Sequence, residues 1–319
     1  MTDLPAVREA LAAAGLTGAG PFDRSGSARL TPRDDPDQSP EMLAGGDNST
    51  AWRVRRPDGS AVVVKAFGKP GGLDSTAAPD DLFEVEAQGL AALRIPGGFV
   101  IPDVLAVTPH ALVLQSLLPR PHDDVGFWER AGHALAATHG VTDSCFGWHR
   151  DGWLGSLRQE NGWHEDGHAF YATHRILRYL KESPVDAALT AEDRAGLHRI
   201  CQRLPQLIPP APATITHGDL APANVMATPD GRPALIDPAV SFTWPEVDLS
   251  MLYWVGLAWP GARVPDRFFD AYAERRPIAD GWRDRAPLLH LRELLSLIAH
   301  GDQRRDFVAD VRHIIRVFR

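Results

Sequence analysis

Apolar positions alternate with polar ones over the first third of the chain and then change to helical spacing. Ala51–Arg55 and Ala61–Phe67 are apolar, β-branched runs separated by Pro57-Asp58-Gly59-Ser60. Asp-Gly between two such runs predicts a hairpin. From Asp80 to Leu93 the apolar residues Leu82, Val85, Gly89/Leu90 and Leu93 fall three to four apart, which predicts a helix. Val104–Val107 and Ala111–Leu114 predict a second strand pair. Ahead of these, residues 5–14 read as a short helix with Pro5 in its first turn and Gly15 as its stop. Residues 20–44 hold Pro21, Pro32, Pro36 and Pro40 among Asp, Arg and Ser, and are expected to be an irregular insert. Beyond Pro119–Pro121 the pattern is mainly helical to the end, except between Ile215 and Val240, where short apolar runs sit among loop residues. The expected fold class is α+β: a small antiparallel-sheet lobe over residues 1–117 and a larger, mainly helical lobe over 118–319.

Composition narrows the choice of partner. The chain has 319 residues, 44% of them apolar and 23% charged, as in ordinary globular proteins, with a formal net charge of −8. No basic stripe suggests a nucleic-acid partner. Met1 to Gly20 carries Asp3, Arg8 and Glu9 and lacks the continuous apolar core of a signal peptide. No run approaches the ~18 apolar residues of a membrane span. Cys145 and Cys201 make no CxxC pair and read as two reduced thiols. The expectation is a cytoplasmic monomer or weak dimer with a small-molecule partner. Only Lys65, Lys69 and Lys181 are lysines among 33 basic residues, so a mechanism that needs a lysine in the small lobe has little choice.

The chemistry-bearing stretch is His217-Gly218-Asp219-Leu220, then Asn224, then Ile236-Asp237-Pro238-Ala239. Asp219 precedes Asn224 by five positions, the spacing of the H-R-D-L-x-x-x-N loop of kinases, and a later acidic residue there holds the metal. Phosphoryl transfer needs an oriented nucleophile and neutralised phosphate charge. A carboxylate at Asp219 can take the hydrogen bond of an acceptor hydroxyl. Mg²⁺ prefers oxygen ligands, which Asn224 and Asp237 can supply. Asp230-Gly231 predicts the turn of a hairpin that leads through Ala234–Ile236 and delivers Asp237. Asp219, Asn224 and Asp237 are thus the candidate catalytic residues of this lobe. Asp248, at the start of the next helix, is expected to cap it or to brace the catalytic loop.

The first lobe offers matching parts. Lys65 ends the apolar strand AVVVK, like the V-A-I-K lysine that meets the α- and β-phosphates. Its partner is expected to be a helix carboxylate, Glu86 first and Glu84 as the fallback. Gly45, Gly46 and Asn48 lie in the turn before the first strand and could cover phosphates. Gln115 and Leu117 stand where a strand meets the linker, with backbone groups suited to a purine ring. No GxxxxGK[ST] pattern occurs, so a Walker-type loop is not expected. His164-Glu165-Asp166-Gly167-His168 matches H-E-x-x-H literally, but Asp166 and Gly167 suit a helix interior poorly and no third zinc ligand follows. It reads instead as a polar helix start after Trp163.

These stretches together resemble the fructosamine (ketosamine) kinase family, a branch of the aminoglycoside-phosphotransferase and protein-kinase-like superfamily. The likeness runs from about Gly45 to the C-terminus through GGDNSTAWRV, VVVKAF, FEVEAQGLAAL and LVLQSLL. It continues through FGWHRDGWLGSLRQENGWHEDGHAFYATHR, THGDLAPANVMATPDGRPALIDPAV and EVDLSML. It implies a protein-kinase-like two-lobe fold with nucleotide between the lobes, and ATP with Mg²⁺, GTP being left open. It also implies a sugar-like hydroxyl as acceptor, and the roles above for Lys65, Glu86, Asp219, Asn224 and Asp237. Three stretches depart from the family pattern. Ala221-Pro222-Ala223 replaces Trp-Ser-Gly, Ser241-Phe242-Thr243-Trp244-Pro245 replaces Tyr-Tyr-Gly and a basic residue, and residues 20–44 have no counterpart. Two acceptor classes follow: a ketosamine, or an antibiotic or other sugar- or nucleoside-bearing natural product inactivated by phosphorylation. A catalytically dead binding module is the reading from another class, and the intact Lys65, Asp219, Asn224 and Asp237 oppose it. Trp148, Asp151, Trp163 and Trp244 are the candidate acceptor residues, with Trp244 expected to be partly exposed.

Overall fold

The computed structural model describes residues 10–16, 40–43, 49–56, 58–68, 79–121, 124–258 and 262–319. Gly45, Gly46 and Asn48, the candidate phosphate-covering turn, lie outside the described residues, as does most of the 20–44 segment. The chain divides into two compact units, Met1–Ala91 with Ile101–Leu118, and Ala92–Val100 with Pro119–Arg319.

The first unit is a five-stranded sheet in the order β1-β2-β3-β5-β4. Its strands are β1 (Glu41–Leu43), β2 (Ser49–Arg55), β3 (Ala61–Phe67), β4 (Val104–Val107) and β5 (Ala111–Gln115). All described pairings are antiparallel. The predicted hairpin is β2–β3, closed by Gly59 at φ +81° with its N–H on Arg56 O. Alternation decides which side chains go inward. Trp52, Val54, Val62, Val64 and Ala66 pack with Ala10, Leu11, Ala111 and Val113 in one apolar cluster. The intervening residues of β3, Lys65 among them, point to the opposite face. The helix predicted from Asp80 runs Leu82–Ala92, here α1. One expectation is corrected. Part of the 20–44 segment is regular, because Glu41–Leu43 extends along the edge of β2, where Glu41 meets Arg53 at 3.1 Å.

The second unit is mostly helical. Strand β6 (Leu118–Pro119) falls at the division, and the unit's own short strands are β7 (Thr142–Asp143), β8 (Gly152–Leu154), β9 (Leu157–Gln159), β10 (Ala213–Thr216), β11 (Val225–Ala227), β12 (Pro233–Leu235) and β13 (Ser241–Thr243). Helix α2 (Val125–Thr138) begins at Asp124, whose side chain accepts the N–H of Phe127. It lies against the helix Asp266–Arg275 so closely that a Cβ on Gly132 would come within 2.2 Å of Phe268 O, which explains glycine there. Helix α3 (Ala191–Leu207) opens with a reciprocal cap between Thr190 and Asp193. Among the described residues no helix is long and apolar enough to cross a membrane.

Candidate active site

Strand β10 is buried along its whole length and pairs antiparallel with β13, Thr216 opposite Ser241. The loops that leave these two strands therefore run side by side. One is His217-Gly218-Asp219; the other is Asp237-Pro238-Ala239-Val240. Ala239 N–H donates to His217 O at 2.8 Å. Gly218 has φ +78°, and a Cβ there would approach Ala239 O to 2.1 Å, so the contact between the loops requires glycine.

The hairpin β11–β12 fixes the remaining two residues. Val225 pairs with Leu235, and one step further out Ile236 N–H donates to Asn224 O at 3.2 Å. Asn224 and Asp237 thus flank the open end of one hairpin. Asn224 Nδ2 donates to Asp219 O at 2.8 Å, which ties the candidate base to the candidate metal ligand and leaves the amide oxygen as the acceptor. Asp237 has φ +57°, alone among the described non-glycine residues in the left-handed region. Such backbone costs on the order of 1–3 kcal/mol and clusters where geometry serves function.

The catalytic loop is braced from beneath. Asp248, in the helix Glu246–Ala258, is wholly buried and accepts His217 N–H at 2.7 Å and Gly218 N–H at 3.0 Å. This is the bracing expected of it. His139 adds a part the sequence did not reveal, with Nε2 3.2 Å from Asp248 Oδ2 and Nδ1 2.9 Å from Tyr272 Oη. Because a carboxylate only accepts, His139 donates from Nε2 and receives the Tyr272 hydroxyl at Nδ1. Burial outweighs the carboxylate's pull and lowers the His139 pKa, so the ring is neutral. The same reasoning fixes His217, whose Nε2 faces Ile236 O at 2.9 Å while Nδ1 receives Asp219 N–H at 3.3 Å. Burial lowers its pKa as well.

In the first unit Lys65 Nζ lies 2.8 Å from Glu86 Oε2, both side chains largely buried. Glu84, the fallback, is exposed and accepts from Gln88 instead. Gln115 is already engaged within the sheet: its N–H donates to Asp103 O at 2.8 Å and its side-chain oxygen accepts Asp103 N–H at 3.3 Å. Leu117 has a buried side chain, and its carbonyl lies 3.5 Å from Arg53 Nη2.

The candidate acceptor residues separate into two groups. Trp148 and Trp163 flank Phe242, with ring centroids 5.6 and 6.2 Å away, and Trp163 is 47% exposed. The backbone explains the grouping, since Gly147 exchanges both hydrogen bonds with Phe242 while Trp148 N–H donates to Asn161 O. Asp151 serves this segment from within: Oδ1 accepts Asn161 N–H at 2.9 Å and Oδ2 takes Arg158 Nε at 2.8 Å. Trp244 corrects the expectation of partial exposure. It is 2% exposed and packs on Phe146, Tyr171 and His168, at centroid distances of 5.8, 5.4 and 5.1 Å. The residues of β13 are all buried, and the chain enters the following helix directly, so the indole closes the core.

The H-E-x-x-H histidines part company. His168 Nε2 meets Ile208 O, His164 Nε2 meets His174 Nε2 at 2.9 Å, and Asp166 caps the helix Gly167–Tyr171, the polar start expected there. Residues 172–176 continue as π-helix, which turns Arg175 inward onto Asn161 Oδ1 at 2.6 Å and Ser241 Oγ at 3.0 Å.

A probable ketoamine kinase from Enterococcus faecium is 29% identical over 67% of this chain and 75% of its own length. Another from Vibrio parahaemolyticus is 31% identical over 67% of this chain and 73% of its own. The crystal structure of a fructosamine-3-kinase family protein from Thermobifida fusca superposes with a TM-score of 0.73 at 32% identity, covering 87% of this chain and 93% of that one. An aminoglycoside phosphotransferase, at 14% identity and a TM-score of 0.58, shares the fold. The family profile for fructosamine kinase matches residues 33–313, from ahead of the Lys65 strand to beyond the Asp219, Asn224 and Asp237 loops; with its small antiparallel-sheet lobe and larger helical lobe, the chain belongs to the fructosamine kinase family and is a kinase of the protein-kinase-like fold.

Proposed function

We propose that the chain transfers the γ-phosphate of ATP, carried with Mg²⁺, to a sugar hydroxyl of a ketosamine, with Asp219 orienting that hydroxyl. The observation that carries this reading is the joining of the two loops. Asn224 Nδ2 bonds Asp219 O, and Ile236 N–H bonds Asn224 O, so base and metal ligands are spaced by one short network.

The donor set fits Mg²⁺, which takes hard oxygens and usually one or two protein groups beside phosphate and water. Asn224 Oδ1 and Asp237 would hold it, and when bound it supplies charge neutralisation at the phosphates. Lys65, held by Glu86, would meet the α- and β-phosphates. The acceptor oxygen forms its bond to the γ-phosphorus as the bond to the β-bridging oxygen breaks. The hydroxyl proton then passes to Asp219. Trp148 and Trp163, seated on the buried Phe242, offer an aromatic wall for the apolar face of a sugar, with Asp151 holding the loop that carries them.

The test is a panel of acceptors with Mg-ATP, read as ADP release. It should contain fructosyl-lysine, ribosyl-derived ketosamines, and aminoglycoside and macrolide antibiotics. Turnover confined to the ketosamines is expected. Turnover confined to an antibiotic would replace the acceptor assignment, and turnover with neither would overturn it.

A further inference from the structure

Arg292 lies in the helix Leu291–Ala299 and is 5% exposed. One of its terminal nitrogens, Nη2, donates to Gly218 O at 2.6 Å, and the other, Nη1, donates to Gln159 Oε1 at 3.1 Å. Gln159, at the end of β9 and 2% exposed, donates in turn from Nε2 to Ala239 O at 3.1 Å. One buried guanidinium therefore touches the peptide immediately before Asp219 and, through a single amide, the loop that follows Asp237. Charge-assisted hydrogen bonds are short and strong, and the planar guanidinium holds two directions at once. Gly218 has its carbonyl held by Arg292 and its N–H held by Asp248. With both ends of the glycine residue fixed, the direction in which Asp219 leaves the loop is fixed too.

Burial works against the Arg292 charge, yet nearby acids, Glu293 and Asp219 among them, leave its pKa raised. The guanidinium thus stays ionised beneath the loop. An apolar residue would fill the space but could not donate to the carbonyl, and a neutral amide would do so without the charge.

We propose that Arg292 is a positioning residue for phosphoryl transfer, holding the Gly218–Asp219 peptide so that Asp219 meets the acceptor hydroxyl, with Gln159 coupling this grip to the metal loop. The proposal rests on the reading of Asp219 as the residue that orients the acceptor.

The experiment is a double-mutant cycle of Arg292→Met and Asp219→Asn. ADP release is read with fructosyl-lysine and, separately, with water as the acceptor, alongside nucleotide Kd and Tm. Losing a charge-assisted hydrogen bond predicts a fall in kcat of about 10–100-fold for Arg292→Met, with nucleotide Kd within about threefold. In the Asp219→Asn background the same substitution should change kcat by less than about threefold, because groups acting as a unit are not additive. Equal loss in both backgrounds would overturn the positioning role. An Asp219→Asn enzyme as active as wild type would instead sink the underlying assignment of Asp219, which separates the two failures. Gln159→Leu is the milder variant if Arg292→Met does not fold. It should lower kcat in the same direction with the fold kept by circular dichroism, and an unchanged kcat would count against the coupling.

Discussion

Asp248 accepts the backbone N–H groups of both His217 and Gly218, at 2.7 and 3.0 Å, from complete burial. Two consecutive amides point at one carboxylate, and His139 points at it from the other side, backed by the Tyr272 hydroxyl. Every group around this carboxylate donates. Asp248→Asn would turn an amide NH₂ toward one of them. The expected result is a loss of about 1–3 kcal/mol of stability, from one unsatisfied buried donor, together with reduced turnover. Calorimetry and steady-state kinetics on the variant check both, and a wild-type Tm would contradict the bracing role.

Acid should loosen this structure before its carboxylates titrate. His139, His217 and His290 are fully buried, and burial lowers the pKa of each, that of His290 to about 3. Unfolded, all three would take a proton near pH 6.5. Below that pH the unfolded chain binds more protons than the folded one, so stability falls as pH falls, by up to about 1.4 kcal/mol per pH unit for each histidine. The Asp248 pKa is lowered despite burial, by the donors around it, and its contribution is lost only at still lower pH. Urea titrations from pH 8 to 5 should show stability flat above about pH 7 and declining below about 6.5. A flat profile down to pH 5 would contradict neutral burial of these rings.

Asp237→Ala should abolish the Mg²⁺ dependence of nucleotide binding, because it removes the carboxylate from a site with few protein ligands. Titration of a fluorescent ATP analogue with and without EDTA reads this. Wild type should weaken on chelation and the variant should not respond. His164→Ala should leave both curves unchanged, since His164 is bonded to His174 rather than to a metal-ligand set.

Trp163 and Trp244 should respond oppositely to truncation. Trp244 is sealed among Phe146, Tyr171 and His168, so Trp244→Ala should cost about 3–5 kcal/mol of stability, as large core truncations do. Trp163 is half-exposed beside Phe242, so Trp163→Ala should raise the acceptor KM with little change in Tm. Thermal melts and acceptor titrations on the two variants separate these outcomes.

The sequence made legible those features whose chemistry is local. Lys65 ends an alternating strand, and Asn224 stands five positions after Asp219, because short spacings are set by backbone geometry alone. Asp230-Gly231 likewise marks the hairpin that carries Asp237. The supports of the same loop were hidden. Arg292 reaches Gly218 across 74 positions, and His139 reaches Asp248 across 109. No local pattern distinguishes a buried arginine or histidine from an exposed one. Trp244 misled for a related reason. It follows a three-residue strand and precedes a proline, with no repeat long enough to show which way the indole turns, and its partners Phe146, His168 and Tyr171 stand 73–98 positions earlier. Phe242 lies within the departing stretch Ser241–Pro245, but its stacking on two tryptophans was hidden, because they come from a segment some 80–95 positions earlier, brought alongside by the Gly147 backbone pairing.

The central claim is that Asp219 directs a sugar hydroxyl onto the γ-phosphate of ATP. The most direct test is ³¹P NMR of the product from fructosyl-lysine and Mg-ATP, for wild type and Asp219→Asn. The account predicts a new phosphomonoester resonance coupled to a sugar carbon-bound proton in the wild type. In the variant its rate of appearance should fall about 10²–10⁴-fold while ATP still binds. A phosphomonoester that the variant forms within about threefold of the wild-type rate, far below what such a base contributes, would contradict it.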